Sequence, residues 1–225
     1  MSSIAENLDA VRERIARAAA RSGRDAADIT LVAVSKGRTL EAIREAALAG
    51  QTVFGENRAQ ELKEKLDHMQ QELEWHFIGH LQRNKVNMVV GRTALIHSVD
   101  SRKLLDAVAA RAGELGTVQD ILLQVNTSGE ESKYGMGEGE AADILERALS
   151  LPSLRVRGLM TIAPLGDVDD ARSCFRRLRE LRETLARDIA PQGLEVLSMG
   201  MTQDFEVALE EGANMVRIGT AIFAA

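Results

Sequence analysis

Eight short apolar runs, rich in β-branched residues, recur along the chain and alternate with segments of helical periodicity. The runs lie at Ile29–Val34, Thr52–Phe54, Trp75–Ile78, Ala94–His97, Asp120–Asn126, Arg155–Met160, Leu194–Ser198 and Asn214–Ile218. Helices are predicted between them over Leu40–Ala49, Ala59–Leu66, Gln82–Val90, Arg102–Leu115, Glu140–Leu149, Asp169–Ile189 and Gln203–Glu210. The first run is apolar at odd and even positions alike, as expected of a parallel strand covered by helices on one face and a barrel core on the other. Eight such units share 225 residues, roughly 28 each. An open doubly wound sheet usually stops at about five or six strands, so the repeat predicts an α/β fold of the (β/α)8 TIM barrel class.

One further helix precedes the repeat. Ser2 or Ser3 can cap it, Ile4, Leu8, Val11 and Ile15 form its apolar stripe, and Gly23 stops it. No Gly/Ser-rich linker interrupts the sequence, so residues 1–225 are expected to form one barrel domain. A net charge of -6 and the lack of any long Lys/Arg block argue against nucleic acid or a membrane surface as partner. Cys174 is the one cysteine, which excludes an internal disulfide and fits a reducing cytoplasm. The amino terminus carries charges throughout and lacks the apolar stretch of a signal peptide or membrane span.

In a barrel of this kind, functional groups stand at the carboxyl ends of the strands. Lys36 follows the first run and shares a side with Val32 and Val34, which directs it toward the barrel axis. Partial burial there would favour the neutral amine and its attack on an aldehyde; the alternative is a lysine that snorkels to solvent or joins a salt bridge. Ser198, Gly200, Gly219 and Thr220 end the seventh and eighth runs, the usual barrel site for a phosphate. Arg217 lies two residues before Gly219 and points inward, toward either a core carboxylate or the ring nitrogen of pyridoxal 5′-phosphate (PLP). His76 and His80 have the spacing of a helical zinc pair but lie along a strand, where four residues span ~13 Å, so one metal cannot take both. His97 is expected to satisfy a hydrogen bond at a strand end.

The segments LVAVSKGRTLEAIREAALAGQTVFGENRAQELKEK, WHFIGHLQRNK, QVNTSGEESKYGM, GLMTIAP and LSMGMTQDFEVALEEGANMVRIGTAIFA span most of the chain. They resemble the pyridoxal-phosphate homeostasis protein family, whose barrel is of the alanine racemase N-terminal-domain type. The resemblance implies Lys36 as the Schiff-base lysine, Asn57 as a lining residue, and Ser198, Gly200, Gly219 and Thr220 as phosphate ligands. Arg217 would meet the pyridine nitrogen. His80 and Lys133 are positions whose part at the cofactor the resemblance leaves open.

The resemblance implies a cytoplasmic monomer that binds PLP and takes part in vitamin B6 and amino-acid homeostasis, and the expectation is that it does so without catalytic turnover. PLP-dependent apo-enzymes are the expected recipients. Two features favour holding over catalysis. The sequence stops shortly after the eighth run, with no second domain of the racemase kind, and Tyr134 is the only tyrosine. The alternatives are a slow PLP-dependent racemase or lyase, and a class I aldolase that would need Glu56 as its acid/base group.

Overall fold

The computed structural model describes residues 2–69, 72–130, 134–164 and 166–224. Its eight strands are β1 (Thr30–Val34), β2 (Val53–Glu56), β3 (Glu74–Phe77), β4 (Leu95–Val99), β5 (Gln119–Gln124), β6 (Leu154–Met160), β7 (Val196–Ser198) and β8 (Met215–Ile218). Each pairs in parallel with the next, and β8 returns to β1, closing the barrel. The helices that follow them are α2 (Leu40–Leu48), α3 (Ala59–His68), α4 (Val86–Val89), α5 (Arg102–Glu114), α6 (Ala141–Leu149), α7 (Val168–Asp188), α8 (Phe205–Glu210) and α9 (Thr220–Phe223). The expected (β/α)8 architecture is present.

The leading helix α1 (Ile4–Arg21) begins at Ser3, whose side chain accepts the Glu6 amide while the Glu6 carboxylate accepts the Ser3 amide. This reciprocal cap satisfies two amides that a helix start otherwise leaves open. The apolar stripe of α1 buries Leu8, Val11 and Ile15, and the helix packs on α2, α8 and α9. Asn7 donates to the carbonyls of Ile222 and Ala224, which ties the end of the chain to its beginning.

The boundaries differ from the sequence pattern where tertiary contacts decide them. β2 runs on through Gly55 and Glu56, because the Glu56 carboxylate is buried against the Lys65 ammonium instead of facing water. β4 continues past His97 to Val99, which puts His97 inside the barrel wall and not at a strand end. The helix predicted over Gln82–Val90 divides into a 3-10 turn, Arg83–Lys85, and the short α4. Gln203 and Asp204 fall in a turn ahead of α8.

A large apolar layer fills the space between the strands and the helices. Inside the barrel, the apolar filling is a small cluster of Val32, Leu95, Leu122, Met160 and Met215. His76, His97, Ser198 and Arg217 are also buried, and a chain of hydrogen bonds joins them.

Candidate functional site

A cleft of about 420 Å³ lies at the carboxyl ends of the strands. Lys36, Arg217, Gly219 and Thr220 line it, together with Val34 from β1 and Asp204 from the turn before α8. Four of the seven sequence-predicted residues thus meet in one cavity. The same-side argument for β1 holds as far as direction goes: Val32 joins the inner cluster, and Val34 and Lys36 line the cleft. The expected partial burial of Lys36 does not hold. It sits in an exposed turn beyond the strand, open to solvent on the cleft side.

That turn is held firmly although the lysine is exposed. Ser35 Oγ lies 3.0 Å from Glu56 Oε2 and donates to it, while Lys65 Nζ donates to the Ser35 carbonyl at 2.7 Å and also pairs with Glu56. On the other side of Lys36, the Gly37 amide donates to Glu61 Oε2 at 2.9 Å. That bond is the main cause holding the Glu61 carboxyl below its ordinary range. The second Glu56 oxygen accepts the amide of Asn57 at 2.7 Å. Glu56 is 0% exposed and both its oxygens are engaged, so it serves as a brace and not as the free acid/base group that an aldolase would require.

Arg217 is 4% exposed and donates from Nη1 to Ser198 Oγ at 2.6 Å and from Nη2 to the Thr161 carbonyl at 2.9 Å. Burial pushes its pKa down to about 10, with the nearby Asp204 charge opposing the shift, so the guanidinium keeps its proton at neutral pH. Asp204 is itself pushed up by burial, against the bond it accepts from the Met201 amide and the pull of Arg217. Among the described residues no carboxylate forms an ion pair with Arg217. Of the two acceptors the sequence left open, a core carboxylate is not the one found.

Ser198 and Gly200 do not line the cleft. The Ser198 hydroxyl is taken up by Arg217 and by His97 Nδ1 at 2.9 Å, and the Gly200 carbonyl accepts the Arg217 amide at 3.0 Å. Gly200 has φ +93°, and a Cβ there would stand 2.8 Å from the Phe205 Cα, so only glycine fits. Gly219 approaches β1 so closely that a Cβ would come 3.1 Å from the Val34 Cβ.

Asn57 lines a separate hollow of about 250 Å³ with His80 and Lys85, and its Oδ1 is buried without a hydrogen-bond partner. His80 stacks on Tyr134 at 4.0 Å between ring centres and meets Asp100 through Nδ1 at 3.1 Å. His76 binds Glu74 and His97, away from His80. Lys133 lies outside the described residues. Sequence inspection missed Asp204 and the loop residues Pro164 and Asp167 that border the cleft. Only the apolar strand before each loop gave a sequence signal, which locates a mouth without saying which loop folds over it.

The family model described as "Alanine racemase, N-terminal domain" matches residues 7–225. A relative from Aquifex aeolicus (strain VF5), named pyridoxal phosphate homeostasis protein, is 47% identical over 220 residues, covering 97% of this chain and 96% of its own. The chain belongs to the pyridoxal phosphate homeostasis protein family. An Escherichia coli (strain K12) member of the same name is 41% identical over 232 residues, spanning 100% of this chain and 97% of its own. Among solved structures, PipY of Synechococcus elongatus PCC7942 with PLP bound superposes with a TM-score of 0.87 at 37% identity, covering 99% of this chain and 100% of that one. The family membership and the closed barrel agree with the resemblance seen in the motifs.

Proposed function

We propose that this protein binds PLP in the cleft at the barrel mouth, holds it as a Schiff base on Lys36, and buffers or carries it without catalytic turnover. The observation that carries this reading is the convergence in one cleft of Lys36, Gly219 and Thr220 with a buried, charged Arg217 that no carboxylate pairs among the described residues. The residues suit the group. An amine at the open side meets an aldehyde, an arginine at the floor meets a ring nitrogen, and Thr220, at the start of the α9 turn where no side chain caps the backbone, offers a hydroxyl to a phosphate. PLP, when bound, supplies a reactive aldehyde and a conjugated ring that can accept electrons.

The chain's own groups favour holding over turnover. An arginine that retains its proton donates to an unprotonated pyridine nitrogen and leaves the ring a weak electron sink. Asn57, whose buried Oδ1 has no partner, would be a further lining residue, bordering the separate hollow. Ser198 and Gly200 would act through Arg217, since both bond to it directly. A cytoplasmic monomer that passes PLP to apo-enzymes is the corresponding biological role.

Borohydride reduction of the PLP-loaded protein followed by peptide mass spectrometry tests the assignment. A pyridoxyl-phosphate mass on Lys36, absent from Lys36→Ala, is the expected result; an adduct that survives in Lys36→Ala, or no visible absorption band on loading, would sink it. Exchange of the Cα proton of added amino acids, measured by NMR, would instead establish racemase or lyase chemistry.

A further inference from the structure

A line of polar side chains runs through the barrel from one mouth to the other. Arg217, at the cleft, donates to Ser198 Oγ; Ser198 Oγ lies 2.9 Å from His97 Nδ1; His97 Nε2 lies 3.0 Å from His76 Nδ1; and His76 Nε2 lies 2.8 Å from Glu74 Oε1. Glu74 opens β3, so it stands at the amino-terminal end of the barrel. Glu74 and His76 line a hollow there with Leu95, Val196 and Met215, the last two being the first residues of their strands. His76, His97 and Ser198 between the two ends are buried.

With one proton on each imidazole, the two ends determine every proton in between. A guanidinium can only donate and an ionised carboxylate can only accept. Glu74 therefore accepts from His76 Nε2–H. With one proton on each imidazole, His76 Nδ1 must accept from His97 Nε2–H, and His97 Nδ1 must accept from the Ser198 hydroxyl. The Ser198 lone pairs then receive Arg217. Every donor points the same way, and no buried nitrogen or oxygen in the line is left unsatisfied. Burial is the main cause that pushes His97 well below its ordinary pKa, which agrees with a neutral ring. Bonds aligned in this manner polarise and strengthen one another in a medium of low dielectric.

We propose that Glu74, His76 and His97 are positioning residues for Arg217, forming a through-barrel hydrogen-bond relay that ties the guanidinium at the cleft to a carboxylate at the opposite mouth. The relay answers a physical need. Among the described residues, the Arg217 side chain has only neutral direct partners, Ser198 and the Thr161 carbonyl, so its orientation depends on what holds them. Ser198 is held in turn by His97, and His97 by His76. The effect of the relay on PLP rests on the proposed function.

The test has two arms that fail separately. Nitrogen-15 correlation spectra of the imidazoles in ligand-free protein, which has four histidines, should show both His76 and His97 as Nε2–H tautomers. A proton on His97 Nδ1 would overturn the relay. In the second arm, Glu74→Ala and Glu74→Gln are compared for binding of pyridoxine 5′-phosphate, which has no aldehyde and so does not depend on Lys36 chemistry. Glu74→Ala should weaken binding about threefold to tenfold and perturb the His97 signals, while Glu74→Gln, whose amide oxygen still accepts from His76, should restore both to within about twofold. Unchanged affinity in Glu74→Ala would overturn the coupling to the cleft. If the parent protein failed to bind pyridoxine 5′-phosphate at all, the PLP assignment would fall, and the imidazole spectra would still decide the relay.

Discussion

Lys36 and Lys65 lie on opposite sides of the same backbone turn and have opposite duties. Lys36 is exposed, whereas Lys65 is 5% exposed and pairs with Glu56, which is 0% exposed. Removing one member of a buried pair leaves an uncompensated charge, so Lys65→Met should cost about 3–5 kcal/mol by urea unfolding. The double variant Lys65→Met with Glu56→Gln should recover part of that loss, because the orphaned carboxylate is gone. If the single variant were as stable as the parent, the brace assigned to Lys65 would be wrong. From sequence alone the two lysines could not be ranked in this way. Lys36 was placed by the alternation of Val32 and Val34, a local signal; the partner of Lys65 lies nine residues away across a strand-to-helix turn and left no local trace.

At the scale of the elements, the turn between β7 and α8 carries a second prediction. Gly200 adopts φ +93° with Phe205 and Ala208 packed against the position of a Cβ. Gly200→Ala should destabilise the fold by about 1–3 kcal/mol through backbone strain and overpacking, and should loosen the Arg217 amide that bonds to the Gly200 carbonyl. Hydrogen exchange at the Arg217 amide measures the second effect directly. The eight strands themselves were legible, because each is a short β-branched run and the helical period intervenes. What stayed hidden had tertiary causes. Glu56 looked like loop because a charged residue normally ends a strand, and His97 looked like a terminal residue because the apolar run stops there. Both are strand residues because another buried polar group receives them. Of the predicted site, Lys36, Arg217, Gly219 and Thr220 came together from strand-end positions alone. Ser198, Gly200 and Asn57 did not join them, since strand-end position says nothing of which neighbour a residue bonds.

The whole molecule should show the titration of His97. Its folded pKa is depressed, so the stability it confers is fully present above the unfolded value of about 6.5 and is lost as pH falls from there toward the folded value. Over that window the unfolded chain takes up a proton that the native barrel refuses, and unfolding free energy should fall by about 1.4 kcal/mol per pH unit. Denaturant unfolding between pH 7 and 5 checks the slope, and His97→Gln should flatten it; an unchanged slope would remove His97 as its source. PLP at 100 times its Kd should raise stability by about 2.7 kcal/mol, visible as a higher Tm in the parent protein and a smaller rise in Lys36→Ala.

The pinned turn at Ser35–Gly37 also bears on how a cargo would be handed over under the proposed function. Both flanks of Lys36 are tied to β2 and α3, while the amine itself projects on a flexible stem into solvent. Under that reading, loading and unloading would ask nothing of the barrel wall, because the movable part is four carbons long.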